Sequence, residues 1–87
     1  MSPADAAAAP LLERVVDALA RIAPEVRDAP PDPRRPLREQ LELDSMDHLR
    51  FLVVLHERFG VDVPESEYGR LRTLEELVAW LQARGVR

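Results

Sequence analysis

Five of the eight prolines fall in one short stretch, at Pro24, Pro30, Pro31, Pro33 and Pro36. Proline lacks a backbone N–H, fixes its own φ and biases the residue before it away from helix. No regular helix can cross such a stretch, so residues 24–36 are predicted to form a stiff loop laid on the surface. On its N-terminal side Leu12, Val15, Val16, Leu19 and Ile22 recur at helical spacing, with Glu13, Arg14, Asp17 and Arg21 opposite. This pattern predicts a helix over 10–23 that Pro24 stops. Asp17 and Arg21 are placed for an i,i+4 ion pair. Pro10 is expected to break or kink any helix upstream. Residues 1–9 therefore read as a flexible N-terminal tail, in which Ser2 could cap a short turn begun at Pro3.

Beyond the loop, Leu37, Leu41 and Leu43 form a single apolar turn able to pin its end to a core. A second helix is predicted from Asp44 or Ser45 to Phe59, with Gly60 as its stop signal. Residues 61–64 read as an extended connector, and 65–70 as a short helix limited by Gly69. Thr73 followed by Glu76 has the form of a capping box opening a last helix, with Leu74, Leu77, Val78 and Leu81 as its apolar stripe and Gly85 as its end. No segment alternates as a strand would over more than four residues. The fold class is all-α: a small four-helix bundle of three main helices and one short one, forming a single domain over 10–87. Eighty-seven residues allow one such domain with a modest core.

Several functions are excluded early. Without cysteine there is neither a disulfide framework nor a thiolate metal site. His48 and His56 lie about two helical turns apart, so no metal site is expected. The longest strongly apolar run, Phe51 to Leu55, is far short of a membrane span, and Asp5 stands where an export signal would carry Lys or Arg. A cytoplasmic location follows. Charge is unevenly spread. Residues 39–67 carry eight acids against Arg50 and Arg58, net −6, whereas residues 1–38 balance and residues 68–87 are net +2. That field repels nucleic acid and steers basic protein surfaces.

Placed on a wheel of about 100° per residue, Phe51, Leu52, Leu55 and Phe59 form the core arc of the second helix. Met46, Leu49 and Val53 form a separate stripe, which on spacing alone reads as additional core. Ser45 lies between the two, flanked by Asp44 and Asp47. Asp44 or Ser45 can cap the helix. Pairing Ser45 with His48 as a nucleophile fails for want of an orienting third group, and the neighbouring carboxylates would oppose an oxyanion. A third reading, beside the cap, is covalent modification: a serine at an exposed helix start, ringed by acids and lacking its own base, suits an enzyme elsewhere that supplies the chemistry.

The run Leu41-Glu42-Leu43-Asp44-Ser45-Met46-Asp47 resembles the phosphopantetheine attachment motif of acyl carrier proteins. The resemblance continues through Leu55-His56-Glu57-Arg58-Phe59-Gly60-Val61-Asp62-Val63-Pro64 and Leu71-Arg72-Thr73-Leu74-Glu75-Glu76-Leu77, covering about residues 37–83 without gaps. It implies a bundle of acyl-carrier type in which Ser45 carries a 4′-phosphopantetheine arm, added from coenzyme A by a magnesium-dependent phosphopantetheinyl transferase. The thiol of the arm would hold acyl intermediates as thioesters, and the carrier would be no enzyme itself. By the same resemblance Asp44 sets the helix start and the local negative charge. Met46, Asp47, Leu49, Val53 and Glu57 would meet acyl-loading and acyl-transferring enzymes with basic docking surfaces, which turns the second stripe from core to docking strip. Phe51, Leu55 and Phe59 would line an acyl cleft. The chain begins near its first helix and ends just after its last, as a stand-alone monomeric carrier would.

Two departures from the family pattern carry expectations. Glu42 occupies the place of a usual glycine, so the turn before Ser45 should not use positive φ. Arg50 and Arg58 interrupt a helix usually kept acidic, implying a specialised fatty-acid, polyketide or related pathway. The alternatives are a peptidyl or aryl carrier loaded by an adenylating enzyme, and a helical adaptor that is never modified.

Overall fold

The computed structural model describes residues 3–86, with side chains from residue 10 onward. Its elements are α1 (Pro3–Ala20), a 3-10 turn (Pro24–Arg27), α2 (Leu37–Gln40), α3 (Ser45–Phe59), a second 3-10 turn (Glu65–Arg70) and α4 (Leu74–Ala83). Among the described residues there is no strand. The all-α bundle holds: three long helices carry it, and the expected short helix at 65–70 is a 3-10 turn. The six residues Glu65–Arg70, with Gly69 among them, are too few for a self-sustaining α-helix, and 3-10 pieces serve for such connectors. The proline-rich stretch is more ordered than a plain loop, since it begins in one 3-10 turn and closes against α2.

α1 extends further back than the pattern predicts and contains Pro10. Proline's φ is itself helical, so the ring costs the hydrogen bond to residue 6 without compelling a stop. Ser2, the proposed cap, lies outside the described residues. At the other end α1 finishes at Ala20, three residues early. Ile22 and Ala23 both donate to the Leu19 carbonyl at 2.9 Å, and Ala23, preceding Pro24, is turned to φ −130°, ψ 83°.

The buried face of α1 is centred on Leu11, Val15, Ala18 and Leu19, each fully buried, while Leu12, Val16 and Ile22 pack only partly against the core. The face is thus rotated from the one the large residues mark, because the small Ala18 lets a neighbouring element approach closely. α1 packs on the Pro24–Arg27 turn, on α4 and on α3. Val26 from the turn, Phe51 and Leu55 from α3, and Leu74, Leu77, Val78 and Leu81 from α4 complete the core.

Caps follow the sequence closely. Thr73 accepts a hydrogen bond from Glu76 N at 3.0 Å, one half of the expected box. Gly60 closes α3 at φ 68° and its N–H donates to the His56 carbonyl at 2.9 Å. That left-handed conformation is why glycine stands there.

The proline-rich stretch is held by one side chain. Gln40 accepts from Asp32 N at 2.6 Å through Oε1, and donates from Nε2 to the carbonyls of Asp32 and Arg35, both at 3.0 Å. Prolines cannot donate to these carbonyls, and a side-chain amide offers both polarities at once. Two backbone bonds then tie the segment to the start of α4: Leu37 N to Arg72 O at 3.0 Å and Glu75 N to Pro33 O at 2.9 Å.

Candidate functional site

The head of α3 is built by its own first turn. Asp44 is the N-cap, extended at φ −83°, ψ 179°; its Oδ1 accepts from Asp47 N at 2.8 Å, and Asp47 Oδ2 accepts from Asp44 N at 3.4 Å. This reciprocal box settles which of the two candidates caps the helix: Asp44 does, and Ser45 is the first helical residue. With the cap supplied by its neighbour, Ser45 is exposed. It forms no hydrogen bond with His48 among the described residues.

The approach to Ser45 bears out the expected turn. Glu42 is exposed, and no non-glycine among the described residues has positive φ. Leu41 is extended at φ −130°, ψ 142°, and Leu43 N donates to Leu41 O at 3.0 Å. Leu41 and Leu43 pack partly on the core, fixing the segment that delivers Asp44.

Met46, Leu49 and Val53 are exposed by 62%, 47% and 55%. The structure therefore does not use them as core, against the reading from spacing alone. Arg50 and Glu57 are exposed on the same helix. Asp47 is half-buried and engaged in the cap. The two arginines of α3 differ: Arg58 donates to Asp17 Oδ2 on α1 at 2.5 Å, whereas Arg50 makes no ion pair among the described residues. Asp17 also pairs with Arg27 at 3.2 Å, in place of the expected i,i+4 partner Arg21. The bond and charge of Arg58 hold the Asp17 carboxyl below its usual range.

Phe51 and Leu55 are buried beside a void of only about 10 Å³, shared with Leu37, His48, Tyr68 and Leu77 among others. Phe59 packs partly buried against the same core but does not line that void; the Arg14 guanidinium sits 4.8 Å from its ring centre.

Sequence reasoning missed a second space. A pocket of about 300 Å³ opens beside the first turn of α3, lined by Leu37, Arg38, Leu43, His48, Tyr68, Leu71 and Arg72, with Pro36 and Gly69. His48 presents to it from α3, one turn beyond Ser45, and meets the edge of Tyr68 with ring centres 6.0 Å apart at 79°. Burial, then the nearby Arg38, lowers the His48 pKa from its ordinary value. The signal was present: on the wheel His48 falls inside the arc of Phe51, Leu55 and Phe59. The partners were not, because Arg38, Tyr68 and Arg72 come from separate segments.

No group of His, Asp or Glu side chains among the described residues could hold a metal ion, and no helix among them is long and apolar enough to cross a membrane.

Comparison with known proteins points to one family. The profile of the phosphopantetheine attachment site family matches residues 13–81. An acyl carrier protein of Thermobifida fusca is 25% identical over 73 residues, covering 80% of this chain and 92% of that protein. An acyl carrier protein of Rubrobacter xylanophilus is 37% identical over 49 residues, covering 56% of this chain and 60% of that protein. The meromycolate extension acyl carrier protein of Mycolicibacterium smegmatis is 29% identical over 73 residues, with 80% and 74% covered. No solved structure matches.

Proposed function

The chain belongs to the phosphopantetheine attachment site family and is an acyl carrier protein, and on that premise we propose that Ser45 is the residue that receives the arm. The observation that carries this reading is an exposed primary hydroxyl at the first position of α3, relieved of capping by the Asp44–Asp47 box. Attachment would join Ser45 Oγ to the 4′-phosphate side of the coenzyme A pyrophosphate. The pyrophosphate bond breaks, 3′,5′-ADP leaves, and the serine proton passes to a base of the transferase. The residues present fit that group. Ser45 is exposed, and the positive end of the helix dipole favours a phosphodiester there. When bound, the arm supplies a thiol that holds acyl groups as thioesters.

The protein's own residues then do no bond-making. Met46, Leu49 and Val53 form an apolar strip for partner enzymes, bordered by Glu57 and by the cationic Arg50. Arg58 contributes little to that border, because Asp17 already pairs with it. A partner suited to this strip needs an acid opposite Arg50 as well as a base opposite Glu57. This mixed demand supports a specialised pathway rather than general fatty-acid synthesis, carried out in the cytoplasm by a monomeric carrier.

Co-expression with a broad-specificity phosphopantetheinyl transferase and intact mass measurement tests the assignment. The wild type gains one arm and Ser45→Ala gains none; an arm retained on Ser45→Ala places the attachment elsewhere. Turnover by general fatty-acid synthase enzymes should be lower than that of a strongly acidic carrier. Arg50→Glu should raise it, and equal turnover from the start would remove the argument for specialised partners.

A further inference from the structure

We propose that the surface around Ser45 is inert toward the thioester it presents, because its positive charge comes from Arg38, Arg50 and Arg72 and from no side-chain amine. This rests on Ser45 carrying the arm and adds a chemical property of the carrier: its cargo is not lost irreversibly onto its own side chains.

Two observations carry it. The first is the choice of cation. All twelve basic residues are arginine, and the chain contains neither lysine nor cysteine. At two positions the guanidinium plane has a local use. Arg14 and Arg84 lie over the rings of Phe59 and Trp80, at 4.8 and 4.0 Å from their centres, where a planar cation stacks better than an ammonium. Arg21, Arg35, Arg38, Arg50 and Arg72 have no such use. Each is exposed, and none makes an ion pair or a ring contact among the described residues. Lysine would supply the same charge and solubility at all five.

The second is where three of the five stand. Arg50 is exposed on α3 itself, little more than one turn beyond Ser45. Arg38 and Arg72 share a wall with Leu43 and His48, which flank Ser45 in the chain. A tethered thioester meets such neighbours at an effective concentration on the order of millimolar. A lysine amine has an ordinary pKa of about 10.4, so about 4% of it is neutral at about pH 9. The neutral nitrogen attacks the thioester carbonyl and the C–S bond breaks. The sulfur leaves and takes up the proton that nitrogen gives up, and the acyl group ends as an amide the thiol cannot reclaim. A guanidinium keeps its proton in proteins and has no free lone pair to attack with. His48, half-buried against the Tyr68 ring, is no such sink, since an acyl-imidazole returns its acyl group to a thiol.

The test makes Arg38→Lys, Arg50→Lys and Arg72→Lys singly. Each variant and the wild type is loaded with a butyryl arm, using a broad-specificity transferase and butyryl coenzyme A, and intact mass confirms loading. The loaded proteins are held at the same alkaline pH. Timed samples are treated with hydroxylamine, which strips a thioester and spares an amide, and are weighed again. The substitutions keep the charge at exposed positions, so the fold should survive, and equal urea midpoints check this. The wild type should return to the mass of the bare arm at every time. Arg50→Lys should build up a hydroxylamine-resistant butyryl group, mapped by peptide mass to position 50, and the other two variants should do the same at positions 38 and 72. A control supplies the amine in trans: Ser45→Ala combined with Arg50→Lys, at about 10 µM, is mixed with butyryl-loaded wild type. The tethered reaction should be about tenfold to a hundredfold faster than this control, as a millimolar effective concentration against a micromolar bulk one requires. Lysine variants that load yet gain no more resistant butyryl than the wild type overturn this proposal alone, because the arginines are then a compositional bias without chemical consequence. Equal rates in the tethered and trans reactions overturn it as well. Absence of any arm on the wild type takes down the Ser45 assignment and this proposal with it.

Discussion

The two ends of α3 are fixed by different means. At the Phe59 end, α1 reaches across: Arg58 bonds Asp17, Arg14 stacks on Phe59, and Leu11, Val15 and Leu19 are fully buried close by. At the Ser45 end, order is local. The Asp44–Asp47 box holds the first turn, and a pocket of about 300 Å³ lies alongside. One end is anchored by tertiary contacts and the other is left open around an exposed serine. The proposed attachment of an arm at Ser45 would use both, an accessible hydroxyl and a helix held firmly behind it.

The largest effect that could break this contrast is in the middle of α3. Leu55→Ala, at a fully buried position, should cost about 2–5 kcal/mol in urea unfolding. Val53→Ala, only two residues away and 55% exposed, should stay within about 0.5 kcal/mol. Comparable losses at the two positions would mean that the apolar strip is core after all.

Next in size are the devices that hold the open end. Asp44→Ala removes the cap and should cost about 1 kcal/mol. Gln40→Ala frees three polar contacts of the proline-rich segment and should cost about 1–2 kcal/mol. Hydrogen exchange would sharpen the result: Asp44→Ala should loosen the first turn of α3 and leave amides near Phe59 protected. Uniform loosening would show that the ends are not independent.

Smaller effects follow from titration. The His48 pKa is lowered in the folded state, so the unfolded chain binds the proton more readily. The contribution to stability is complete above the ordinary value near 6.5 and is lost as pH falls through the lowered one. His48→Gln should flatten the stability profile in that window. The Asp17 carboxyl is likewise lowered from 3.8. Its stabilising pairing persists above that value and disappears as acid protonates it. Asp17→Asn should remove this acid sensitivity with only a slight change at neutral pH. A large neutral-pH loss would give the α1 anchor more weight than an exposed ion pair normally carries.

Much of this was legible in the chain. The bounds of α3 follow from Asp44 and Gly60, those of α4 from Thr73 and Gly85, and the placing of Ser45 at the head of α3 from the choice of Asp44 or Ser45 as its cap. These are local matters of hydrogen-bonding groups within a few residues of each other, and sequence records them directly. The face of α1 was less legible, since Ala18 contributes to the core by being small, which apolar periodicity weighs lightly.

The sequence by itself thus determined α3 and α4 with their ends, and the position of Ser45 at the head of α3, but not the ends of α1. Tertiary structure alone decided that Met46, Leu49 and Val53 face solvent and that Gln40 fastens the proline-rich segment. It also left Phe59 out of the void beside Phe51 and Leu55, and joined Arg38, His48, Tyr68 and Arg72 around one pocket. The reason is physical. Burial and cavity shape depend on which elements lie opposite one another, and residues brought together from four separate segments leave no common spacing to be read in advance.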